Sequence, residues 1–166
     1  MPTPTRPAAD LAVRAIRLAL DEVPAHVRPE VALEALGVGT AGRLPESAPY
    51  TIHQLLGHLT FWLEFTLAQL RGDEPQEPAH AEEGWPFPPA PSSQEELDGE
   101  VAHFLSTLGQ VSGYLPRWQE PVAGSRRSVG ELLTDTAIHN SYHLGQIVLL
   151  RRQIGDWPPP SGGSTW

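Results

Sequence analysis

The chain has 166 residues, no cysteine and a formal net charge of −9 at pH 7. That excludes disulfides, a thiolate metal site and a cysteine nucleophile, and it weighs against nucleic acid or an anionic membrane as partner. Hydrophobic residues make up 40% and charged residues 19%, the balance of a globular protein long enough for one domain over residues 1–166 with a sizeable core. The 18 prolines and 15 glycines, about a fifth of the chain, would forbid long helices if evenly spread. They are clustered instead, leaving proline-free runs at 8–23, 50–74, 92–115 and 122–157, which predict four helices at about 8–22, 51–71, 92–115 and 128–154.

The first helix presents Leu11, Ala15 and Leu18 with Ala12, Ile16 and Ala19 as one apolar face and ends near Asp21, before Pro24. About thirty residues follow, with a short helical piece expected at Pro29–Leu36. The other three helices carry a hydroxyl at the start and Gln or Glu three residues on, which is the capping-box pattern: Thr51 with Gln54, Ser92 with Glu95 or Ser93 with Glu96, and Ser128 with Glu131. Between the second and third helices lies an acidic, proline-rich connection, residues 72–91. Residues 73–100 hold nine acids and no arginine, so the negative charge belongs to this stretch and the helix start after it. Direct antiparallel neighbours need only about 2–8 connecting residues, so the long first and second connections predict a four-helix bundle with at least one crossover, an all-α fold. The opening MPTPTRPAAD lacks an apolar run of signal-peptide length, and no apolar stretch approaches the roughly 20 residues that span a bilayer. A cytoplasmic protein is expected.

The chemistry concentrates in the fourth helix, ELLTDTAIHNSYHLGQIVLLRRQIG. Its apolar stripe runs through Val129, Leu132, Leu133, Ile147, Leu150 and Ile154, with His143 near the centre and His139 on the shoulder. Histidines four apart share a helix face with Cβ atoms about 5–6 Å apart, close enough to reach one ion. A hydrogen-bonded packing role competes with that reading, but two titratable rings in an apolar stripe need a partner of some kind. On the second helix, TIHQLLGHLTFWLEFTLAQL, the stripe is Ile52, Leu55, Leu56, Leu59, Leu63, Thr66 and Leu70. His58 lies on its edge and looks into the bundle; His53 lies away from it. His103 is expected to pack in the third helix, and His26 and His80 to be solvated. His58, His139 and His143 would form an open three-histidine site, completed by water or substrate.

The segments LLGHLTFW and HNSYHLGQIVLLRRQIGDWPPPSGG resemble the DinB/YfiT-like metalloenzyme superfamily, from about the first helix to the end of the chain. The resemblance implies a four-helix bundle with crossover connections, a metal held by His58, His139 and His143, and frequent homodimers. It also implies a small-molecule substrate. The better understood relatives are S-transferases that use bacillithiol, mycothiol or glutathione and a thiol-dependent isomerase, and others are described as metal-dependent hydrolases.

Three neutral imidazoles suit zinc, nickel or iron and leave the ion's full charge to acidify a thiol or a water. Lacking cysteine, the chain would take any thiol from a cofactor. Asp135, one turn before His139, and Gln146, after His143, are candidates to orient the two rings. Asn140 faces inward and needs a partner. Trp62 and Arg151 are candidate substrate contacts, with Phe61, Phe65 and Trp85 as further walls of a pocket. Residues 73–91 would be either a lid or, more simply, a solvated linker. A non-catalytic bundle that binds or dimerises is the reading from another class.

Overall fold

A computed structural model of the chain describes residues 6–20 and 26–163. Among these residues the fold is all-helical, apart from a single antiparallel bridge pairing Pro121 with Ser128. The four long helices are α1 (Arg6–Leu20), α4 (Ile52–Arg71), α5 (Gln94–Ser112) and α6 (Val129–Gln153). Two one-turn helices, α2 (Pro29–Ala32) and α3 (Val38–Ala41), punctuate the first connection where one piece over Pro29–Leu36 was expected. The expected continuation of α1 through Asp21 and Glu22 lies outside the described residues. Within α1 the buried side chains are Ile16 and Leu20, while Leu11, placed on the apolar face by periodicity, is 68% exposed.

The helix starts are set by their caps. Thr51 and Ser128 form complete capping boxes with Gln54 and Glu131. At α5 the N-cap is Ser93, which accepts from the Glu96 backbone N–H, while the Glu96 carboxylate reaches Ser92. Helix α4 ends at Gly72 in the left-handed conformation, φ 91°, which glycine adopts without a Cβ penalty.

The densest packing joins α4 to α5, α1 to α6 and α4 to α6. Side-chain pairs give the directions. His53 to Glu100, Glu64 to His103 and Arg71 to Gln110 advance together along α4 and α5, so these two helices run parallel. His58 to His139 and Thr66 to Thr136 run in opposite senses, so α4 and α6 are antiparallel. Parallel neighbours consecutive in sequence require the chain to return along the whole of α4, about 30 Å for 20 residues. Residues 72–93 make that return, and this is the crossover the length of the connection implied.

The returning connection is largely exposed over residues 72–83, as a solvated linker would be, but from Gly84 onward it packs on α4. Gly84 lies against Trp62 and His58, Phe87 against Gly57, and the carbonyls of Pro88 and Pro89 accept from His53 and Thr51. At Gly57 a Cβ would overlap the Phe87 ring, so glycine permits this close approach. With α5, α6 and the strap all against it, the first half of α4 is buried nearly all round, from Ile52 to Thr60 with only Gln54 partly exposed. No helix among the described residues is long and apolar enough to cross a membrane.

Candidate metal centre

Helices α4 and α6 cross where His58 faces His139 and His143. The ring centroids lie 5.0 Å apart for His58 and His139, 4.7 Å for His58 and His143, and 4.5 Å for His139 and His143. One ligating nitrogen from each ring falls within 4.8 Å of the other two. The Nε2 atoms of His58 and His139 are 3.1 Å apart. Two imidazoles on one tetrahedral zinc, at 2.0–2.1 Å each, are separated by about 3.3 Å. The spacing therefore fits a shared ion.

Two of the rings are held in the tautomer a metal requires. His58 donates from Nδ1 to the Gly84 carbonyl at 2.7 Å, and Nδ1 of His143 meets Oε1 of Gln146 at 2.6 Å. Each bond keeps the proton on Nδ1 and leaves Nε2 unprotonated, with Nε2 of His58 accepting from Nε2 of His139 in the absence of an ion. Burial pushes all three rings below the ordinary imidazole value of 6.5. His139 is driven furthest, to about 4, by desolvation and then by the neighbouring rings of His143 and His58, with the Asn140 side chain acting in the opposite direction. The rings are thus neutral at pH 7, the form that coordinates a cation.

Aromatic side chains enclose the cluster. Trp85, brought in by the strap, stacks on the His58 ring at 4.0 Å and is itself stacked on Tyr50 at 3.8 Å. Trp62 stands edge-on to His58 at 6.4 Å and to His139 at 6.5 Å. On the His139 side lies a cavity of about 260 Å³, lined by Trp62, Phe65, Thr66 and Leu132 with His139 and Asn140. Asn140 is 1% exposed, and neither its Oδ1 nor its Nδ2 has a hydrogen-bond partner.

Several residues singled out in the sequence are placed elsewhere. Asp135 does not reach His139; it is paired with Arg127 at the exposed rim of the cavity. Arg151 is buried away from the histidine cluster. It is 1% exposed and donates to the carbonyls of Ala32 and Glu34, both at 2.9 Å, and to the Asp156 carboxylate at 2.7 Å, which ties the first connection to the end of α6. His103 is exposed and paired with Glu64 at 2.7 Å instead of packing in the core, because it lies on the outer side of α5. His80 is exposed, whereas His26 is half-buried and bonded to the carbonyls of Val27 and Ala19. The Gly84 carbonyl and the Tyr50 ring had no signal in the sequence, since their roles come from how the strap lies across α4.

A family model described as the DinB superfamily matches residues 9–147, a span that contains all three histidines. Neither the curated proteins nor the solved structures give a match.

Proposed function

The chain belongs to the DinB superfamily, and from that membership and the converging imidazoles we propose a divalent-metal-dependent enzyme that transfers a low-molecular-weight thiol to a small electrophile. The observation that carries this reading is the triad itself: three neutral imidazoles, two buried and His139 half-buried, two with Nδ1 already engaged as donor, and ligating nitrogens within 4.8 Å. The donor set suits zinc, nickel or iron. A divalent ion held only by neutral ligands keeps its full charge and lowers the pKa of a thiol or water that completes its coordination.

The remaining work falls to the chain's own residues. Gly84 and Gln146 hold the His58 and His143 rings with Nε2 unprotonated. Trp85 covers one face of His58 and keeps water from it. Trp62 and Phe65 offer apolar walls against which an electrophile can be held beside His139. The chain has no cysteine, so the nucleophilic sulfur comes with a cofactor. Hydrolysis is the second reading, because the same ion would acidify a bound water as well as a thiol and the carboxylates of Glu77 and Asp135 line the cavity beside His139.

Elemental analysis of protein purified without added metal is expected to return about one divalent ion per chain. The metal-loaded protein is then offered bacillithiol, mycothiol or glutathione with 1-chloro-2,4-dinitrobenzene, and thiol consumption above the uncatalysed rate is expected with at least one. Protein that takes up no ion and consumes no thiol would be a non-catalytic bundle.

A further inference from the structure

We infer that Asn140 is the positioning residue of His139, its buried carboxamide supplying the acceptor that the Gly84 carbonyl supplies to His58 and Gln146 supplies to His143. The inference rests on the metal-centre reading above and deepens it. His58 and His143 each have Nδ1 on an oxygen, at 2.7 and 2.6 Å. His139 makes a single hydrogen-bond contact, from Nε2 to Nε2 of His58; with Nε2 given to an ion, its proton would sit on Nδ1, for which no acceptor is engaged among the described residues. The next residue on the helix is a carboxamide, 1% exposed, with both polar atoms unpartnered.

A buried amide with no partner is destabilising, and such groups are rare enough in folded proteins that each needs an explanation. Here two unmet needs lie side by side. In the ion-binding tautomer Nδ1–H of His139 lacks an acceptor, and the amide lacks a donor, on consecutive residues that line the same cavity. An aliphatic side chain at position 140 would pack as well and leave nothing unmet. The carboxamide is explained if its role is to hold His139 for an ion.

The test is a competition titration of zinc against a chromophoric chelator, using the full chain and four variants. Asn140→Leu and Asn140→Ala are each expected to weaken zinc binding by roughly 10–100-fold, the usual effect of removing a hydrogen-bond partner of a metal-bound histidine. Gln146→Leu is expected to do the same through His143. Asn140→Asp, which keeps an acceptor, should stay within a few-fold of the parent. The metal-free Asn140→Leu protein should melt at or above the parent's temperature, because an unsatisfied polar group has been replaced by an apolar one of similar shape. That separates lost affinity from lost folding. Zinc affinity within about threefold of the parent in Asn140→Leu and Asn140→Ala, or an equal loss in Asn140→Asp, would overturn the assignment while leaving the metal centre standing. A parent chain that binds no zinc would overturn both together.

Discussion

His53 and His58 sit on the same helix, are both buried, and both meet a carbonyl of the returning strap through Nδ1, at 2.8 Å to Pro88 and 2.7 Å to Gly84. Their other nitrogens have different surroundings. Nε2 of His53 meets the Glu100 carboxylate on α5 at 2.8 Å, so both ring nitrogens face oxygens and neither is left to bind an ion. Nε2 of His58 meets only two further imidazoles on α6. The same residue type, fixed by the same strap, is a structural tie at one position and an open donor five residues later. What separates them is the helix each ring faces: α5 supplies an acid, and α6 supplies two bases.

The largest expected effect breaks that pairing at its open end. His139→Ala or His143→Ala should lose the ion altogether, since two imidazoles are too few for a three-ligand site. His53→Leu should retain it. Elemental analysis of the purified variants reads the difference directly, and full metal content in either α6 variant would remove those residues from the site.

The complementary effect appears in stability. His53→Leu strips a buried partner from Glu100 and from the Pro88 carbonyl, and should lower stability by about 2 kcal/mol. For a chain of this length that is a fall in melting temperature of roughly 4–8 °C. Read against the parent by thermal melting of ion-free protein, an unchanged melting temperature would mean that the His53 tie contributes little.

The contrast also shows how far the sequence reaches. Periodicity put His58 on the edge of one apolar stripe and the His139–His143 pair on another, because a helix face repeats with the helical period and needs no knowledge of neighbours. Helix limits were legible for the same reason: Thr51 and Ser128 cap locally. The strap was not legible. Its prolines and acids read as a solvated linker, yet backbone carbonyls at Gly84, Pro88 and Pro89 do the binding, and every residue type carries a carbonyl. His53, expected to face away from the bundle, is fully buried and bonded to Glu100 on α5, because α4 is covered by three neighbours where one stripe implies one. The role of Arg151 has no local signal, because the atoms it serves, the carbonyls of Ala32 and Glu34, lie more than a hundred residues away.

Acid should act on the cluster at His58 through its lowered affinity for protons. The three rings have pKa values below the ordinary 6.5, with His139 at about 4. Between these values the unfolded chain binds more protons than the ion-free fold, so their contribution to stability is complete above pH 6.5 and is lost as the pH falls towards 4. Melting temperature of the ion-free parent should therefore fall across that window, and more shallowly in His139→Ala, where the most perturbed ring is gone. Identical pH profiles for the two proteins would mean that the His139 ring is not desolvated as described.

The smallest expected effect concerns Asp135, one turn before His139 and on sequence grounds its natural orienting partner. Its side chain is 66% exposed and paired with Arg127, itself 42% exposed, and exposed pairs of this kind contribute about 0–1 kcal/mol. Asp135→Asn should leave zinc affinity unchanged in a competition titration and move the melting temperature by no more than a few degrees. If zinc binding weakened tenfold, Asp135 would have to reach His139 in the loaded protein, and the third ring would resemble His53, held by a carboxylate, more than His58, held by a strap carbonyl. Unchanged affinity leaves the neutral amide of Asn140 as the group beside that ring.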